Sequence, residues 1–115
     1  MQSIPFTLPD VHGGLSEGTG AVYVEGDELV IEAQVKLLSL IDRKPQAYRI
    51  ELIDLESVAH RRTVLGDRVT IRTRPLDLLA DVPGAGNGEL VLKFKRRHRA
   101  AVDDLLDRLK LWRTG

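Results

Sequence analysis

The run Arg99-Ala100-Ala101-Val102-Asp103-Asp104-Leu105-Leu106-Asp107-Arg108-Leu109-Lys110-Leu111-Trp112 carries the clearest periodicity in the chain. Val102, Leu105, Leu106, Leu109 and Trp112 recur at helical spacing, so they line one face of a helix. Asp103, Asp104, Asp107, Arg108 and Lys110 fall on the other face. An isolated helix of this length is marginal in water, so the apolar stripe, with the only Trp of the chain, needs a surface to dock on.

The segments that precede it read as strands. Ala21–Val24 and Leu29–Val35 flank Glu25-Gly26-Asp27-Glu28, where Gly-Asp between two β-rich runs signals a two-residue turn. Leu29, Ile31, Ala33 and Val35 form the expected inner face of the returning strand. Tyr48, Ile50 and Leu52 alternate with Arg49 and Glu51. Val58 and His60 lead a strand through Arg61-Arg62, and Thr63–Asp67 reads as a hairpin loop. In the next strand Val69 and Ile71 point inward while Thr70, Arg72 and Arg74 point outward. Leu76, Leu79 and Val82 are at helical spacing and predict a helical turn over Pro75 to Val82. Glu89–Lys95 is the last strand, with Leu90, Leu92 and Phe94 inward and Lys93 and Lys95 outward, and the helix follows from near His98. Residues 1–19 are rich in Gly, Pro, Ser and Thr and read as an N-terminal segment. In it Ile4, Phe6 and Leu8 alternate, but Pro5 and Pro9 confine any strand to an edge, and Gly13-Gly14 and Gly18-Thr19-Gly20 read as loop. One domain over residues 20–115 is expected, with no internal repeat.

The 115 residues contain no Cys, which excludes disulfides, a thiolate nucleophile and a cysteine-ligated metal, and fits a reducing compartment. Met1-Gln2-Ser3-Ile4-Pro5 lacks the basic start and apolar stretch of a signal peptide, and no apolar run approaches the about 20 residues of a membrane span. A cytoplasmic protein without a transmembrane segment is expected. The net charge of zero hides an asymmetry. Residues 1–59 hold 4 Lys/Arg against 10 Asp/Glu, and residues 60–99 hold 10 against 4. Either the molecule has one basic face, or acidic and basic strands lie side by side and neutralise each other; the second is the expectation.

Antiparallel hairpins closed by one C-terminal helix with an inward Trp112 resemble the pleckstrin-homology-like superfamily, and Ile50-Glu51-Leu52-Ile53-Asp54-Leu55-Glu56-Ser57-Val58 resembles the strand-turn-strand step of its small bacterial members. The resemblance covers about residues 20 to 113. It implies a mainly β fold, a bent antiparallel barrel of six or seven strands capped by the helix, with a seventh strand hard to place where Pro75 to Val82 reads helical. Members of that superfamily bind lipids, peptides or their own copies. Its lipid-binding members need Lys and Arg flanking the first hairpin. Here the first hairpin presents Glu25, Asp27 and Glu28, so no specific phosphoinositide is expected.

Catalytic and metal chemistry find little support in the residues. His12, His60 and His98 have no second ligand at metal-binding spacing, and Ser3, Ser16, Ser39 and Ser57 sit in no nucleophile elbow. Asp103, Asp104 and Asp107 read as helix-start acids rather than a catalytic pair. Gly84-Ala85-Gly86-Asn87-Gly88 lacks a P-loop lysine and precedes a strand. We therefore expect a binding or assembly module with no enzymatic activity and no cofactor. Leu37, Leu38, Leu40 and Ile41 form an apolar cluster that is either core or a contact with a protein partner or a second copy. The alternative is an anion-binding face of Arg72, Arg74, Lys93, Lys95, Arg96 and Arg97, directed at an anionic membrane surface or a nucleic acid. Five aromatic residues leave little for base stacking, which disfavours nucleic acid.

Overall fold

The computed structural model describes residues 1–8, 16–37, 41–42, 46–75, 77–80, 82, 85–86 and 88–114, and their side chains except at 16–17, 35–37, 41–42 and 111–114. The strands are β1 (Ile4–Leu8), β2 (Ser16–Glu25), β3 (Glu28–Leu37), β4 (Ile41–Asp42), β5 (Gln46–Glu51), β6 (Leu55–Arg62), β7 (Gly66–Thr73) and β8 (Glu89–Lys95), followed by helix α1 (Arg99–Thr114). All pairings are antiparallel, and the sheet runs β4-β3-β2-β1-β8-β7-β6, with β5 also on β3. The two-residue β4 and β5 share one flank of β3, so the sheet has seven strand positions. Among the described residues no ladder joins β5 to β6, and the sheet is open there rather than a closed barrel. Mainly β with one C-terminal helix is the observed class, consistent with a bent sheet capped by its helix.

Period-two alternation builds the core. Ile4, Phe6, Leu8, Val22, Leu29, Ile31, Ile50, Val69, Ile71, Leu90, Leu92 and Phe94 all face inward and are buried. The helix stripe meets them as expected: Val102, Leu105, Leu106 and Leu109 are buried in the same cluster, each contributing about 1.5–3 kcal/mol. The side chain of Trp112 lies outside the described residues. Helix α1 contacts β2, β7, β8 and the 3-10 turn Leu52–Asp54 that joins β5 to β6. That turn is tied to the Gly26-Asp27 hairpin by the Leu52 N–H, which donates to the Asp27 carbonyl at 2.9 Å.

Four sequence expectations are corrected. Ile4–Leu8 is not an edge strand or a loop in a separate N-terminal segment. It is the central strand, paired with β2 over its whole length and with β8 at Thr7↔Lys93. The proline constraint is met locally, because opposite Pro5 no β8 pair forms. Gly18-Thr19-Gly20 is not a loop but part of β2. Gly20 permits a close approach, since a Cβ there would lie 1.9 Å from the Glu32 carbonyl oxygen and 2.8 Å from the Phe6 ring. Glu25-Gly26-Asp27-Glu28 is the second hairpin of the sheet, joining β2 to β3, so its acids say nothing about the first. The described residues from Pro75 to Val82 form no helix. They make successive tight turns, with Ala80 N–H donating to Asp77 O and Val82 N–H to Leu79 O, which bury Leu79 and Val82. The seventh strand position is filled by β1 instead.

The seam between β1 and β8 has one ladder pair and an edge-to-face contact of Phe6 with Phe94, ring centroids 6.4 Å apart. Phe6→Ala is therefore expected to cost about 3–5 kcal/mol in chemical denaturation. A loss below about 1 kcal/mol would return residues 4–8 to a dispensable edge.

Candidate functional site: a basic outer face on β6–β8

Strand order separates the charges, which corrects the expectation that acidic and basic strands neutralise each other. On one side of β1, the outer faces of β2, β3 and β5 carry Glu25, Glu28, Glu32 and Glu51, with Arg49 bridging Glu25 at 3.7 Å and Glu28 at 3.4 Å. The Tyr23 hydroxyl donates to Glu32 at 3.1 Å; that bond, then burial, raises its pKa above the ordinary value. On the other side, β6, β7 and β8 carry the cations. The strand between them, Ile4-Pro5-Phe6-Thr7-Leu8, bears no charge.

Register brings Arg61 opposite Arg68, and Arg68 opposite Lys93, in one row across three strands, with Thr7 next in line. Side chains in such positions stand about 4.5–5.5 Å apart at Cβ, where like charges destabilise. None of Arg61, Arg68, Lys93 and Lys95 is in an ion pair among the described residues. They border an open concavity of about 640 Å³ together with the β6–β7 hairpin tip. A second concavity of about 300 Å³ adjoins it across Lys93 and Lys95 and reaches Arg97 and His98.

The expected anion-binding residues divide accordingly. Lys93 and Lys95 stand in both concavities, Arg97 borders the smaller one, and Arg96 is exposed beside it in the turn Arg96–His98. Arg72 is engaged: it donates to Glu89 directly across the β7–β8 ladder, and that bond raises its pKa further. Arg74 is exposed beyond the end of β7, bordering neither concavity. Arg61 and Arg68 were missing from the expected set, although strand alternation with a short loop at Thr63–Leu65 would have placed them in register. Of the expected contact cluster, the β3–β4 ladder pairs Leu37 with Ile41 through the backbone. Leu38 and Leu40, and the side chains of Leu37 and Ile41, lie outside the described residues.

Beneath the row, the inner face of the same hairpin holds a charged knot. Asp67 is 3% exposed, and its carboxylate accepts from His60 Nε2–H at 2.6 Å and from Arg99 Nε at 2.9 Å, with Arg62 Nε at 3.5 Å. Arg99 also donates to the Thr63 carbonyl at 2.7 Å, which ties the start of α1 to the hairpin loop. Arg62 reaches on to Asp103 at 2.6 Å, and Asp104 pairs with Arg108 at 3.1 Å. The first turn of α1 contains no acid, so these aspartates are tertiary and helix-face partners rather than helix-start acids. Among the described residues no group of three or more His, Asp or Glu is placed to hold a metal, and no helix is long and apolar enough to cross a membrane. Comparison with protein-family models, curated proteins and solved structures gives no match.

Burial pushes the Asp67 carboxyl up, but the hydrogen bonds from His60 and Arg99 and the charges of Arg99 and Arg62 outweigh it, so its pKa lies below the ordinary 3.8. A carboxyl depressed on folding stabilises fully above its unfolded value, and that contribution is lost as pH falls through the folded value. Asp67→Asn should lower stability at neutral pH by about 1.5–3 kcal/mol. It should also flatten the loss of stability below about pH 4 in urea titrations. A variant that keeps the wild-type acid slope would remove Asp67 from this role.

Proposed function

We propose that the chain is a non-catalytic binding module of pleckstrin-homology-like architecture that takes a phosphate-bearing anionic surface on the outer face of β6–β8. The observation that carries the reading is the in-register row Arg61–Arg68–Lys93, which has no acidic partner among the described residues. Three cations held opposite one another repel, and an external anion relieves that repulsion. The strand order and the C-terminal helix support the architectural half of the reading. A cytoplasmic site of action belongs to the same proposal, since anionic surfaces are abundant there.

Ionic strength separates this from self-association through Leu37, Leu38, Leu40 and Ile41, which would survive high salt. Affinity for inorganic polyphosphate, measured by titration calorimetry, should fall about tenfold or more between about 50 and 200 mM salt. Arg68→Gln with Lys93→Gln should weaken it by at least about tenfold at fixed salt, leaving the circular dichroism unchanged. Affinity indifferent to both the salt and the double substitution would remove the basic row from the function.

A further inference from the structure

The β6–β7 hairpin ends in two of the most exposed apolar side chains among the described residues, Val64 at 79% and Leu65 at 89%. Neither is needed by the core, and both border the same concavity as Arg61, Arg68, Lys93 and Lys95. The tip is also built to hold its shape. Thr63 N–H donates to the Gly66 carbonyl at 2.8 Å, the Thr63 hydroxyl donates to the same oxygen at 2.7 Å, and Gly66 N–H donates back to that hydroxyl at 3.2 Å. Gly66 lies so close to β8 that a Cβ there would stand 2.1 Å from the Phe94 carbonyl oxygen. Arg99 fixes the loop from below through the Thr63 carbonyl.

We propose that this tip is a membrane wedge: Val64 and Leu65 enter the acyl boundary of an anionic bilayer while Arg61, Arg68, Lys93 and Lys95 lie against its head groups. The inference rests on the anion-binding reading and names its partner. Charge and apolarity point to the same occupant. A cationic row adjoining two aliphatic side chains matches a surface that is anionic outside and hydrocarbon within. A nucleic acid offers phosphate but nothing for Val64 and Leu65, and it asks for stacking surfaces. Phe6 and Phe94 are buried, and Tyr23 stands on the acidic half of the sheet. The row is also spread over three strands instead of converging on one head group, so charge density, and not phosphorylation of an inositol ring, should set the affinity.

The test is vesicle co-sedimentation with the full chain. Phosphatidylcholine vesicles should not bind it. Vesicles with added phosphatidylserine should, and phosphoinositide-containing vesicles of matched charge should bind equally. Val64→Ser with Leu65→Ser should lower partitioning onto anionic vesicles at least about tenfold while leaving polyphosphate affinity unchanged. The chain has no Cys, so Leu65→Cys carrying an environment-sensitive fluorophore gives a second readout, a blue shift on anionic vesicles only. If the Val64/Leu65 variant partitions like the wild type, or the fluorophore stays in water, the wedge is refuted and the anionic reading stands. Tighter binding to duplex DNA than to anionic vesicles at equal salt, unaffected by the tip substitutions, refutes the wedge in favour of nucleic acid. Binding to neither vesicles nor polyphosphate refutes both readings.

Discussion

The rest of the structure depends on the seam at β1. This short strand joins two half-sheets, β2–β3–β5 and β8–β7–β6, through a full ladder on one side and a single pair on the other. Backbone hydrogen bonding alone cannot hold so thin a joint, and the core completes it. Ile4, Phe6 and Leu8 insert between the two halves, and Phe6 meets Phe94 edge to face. Gly20 then matters for what it lacks, because any side chain there would push the β3 backbone at Glu32 away from β2 and displace the Phe6 ring. The same strand is uncharged, so the acidic and basic halves meet only across a neutral divider. The charge asymmetry of the sequence thereby becomes an asymmetry of the surface.

Period two lets the β6–β7 hairpin perform two tasks at once. Residues facing inward, His60, Arg62 and Asp67, bind the hairpin to the start of α1 through Arg99 and to its second turn through Asp103. Residues facing outward, Arg61 and Arg68, are left to solvent. A buried carboxylate is costly to desolvate, and Asp67 is tolerated because donors from β6 and the helix converge on it. The cationic face and the apolar tip are consequently carried on a hairpin whose orientation to the body of the molecule is fixed.

Much of this was legible in the sequence wherever a rule acts locally. The Val102–Leu109 stripe, the bounds of Glu89–Lys95 and the Gly26-Asp27 turn follow from spacing and turn chemistry, and the structure has them. What failed to read from sequence depends on which strands become neighbours. Ile4–Leu8 looks like an edge because of its prolines, and only the partial β8 ladder reconciles Pro5 with a central place. Arg72 looked as available as Lys93 until register set Glu89 opposite it. Asp67 gave no sign of burial, since its partners come from positions 7 and 32 residues away.

The β7–β8 ladder holds its own control. Arg72 faces Glu89, the ordinary way to place a cation on a two-strand surface, and four residues earlier along β7 Arg68 faces Lys93. The two positions share the same strands, the same face and comparable exposure, so the backbone does not force the second arrangement. A glutamate at either Arg68 or Lys93 would reproduce the Arg72–Glu89 bond and remove a like-charge repulsion, and Arg61 beyond them extends the repulsion to a third strand. A stabilising pair at one end of a ladder and a destabilising one at the other is the arrangement the proposed anion-binding face requires. The destabilised end is also the end beside Val64 and Leu65.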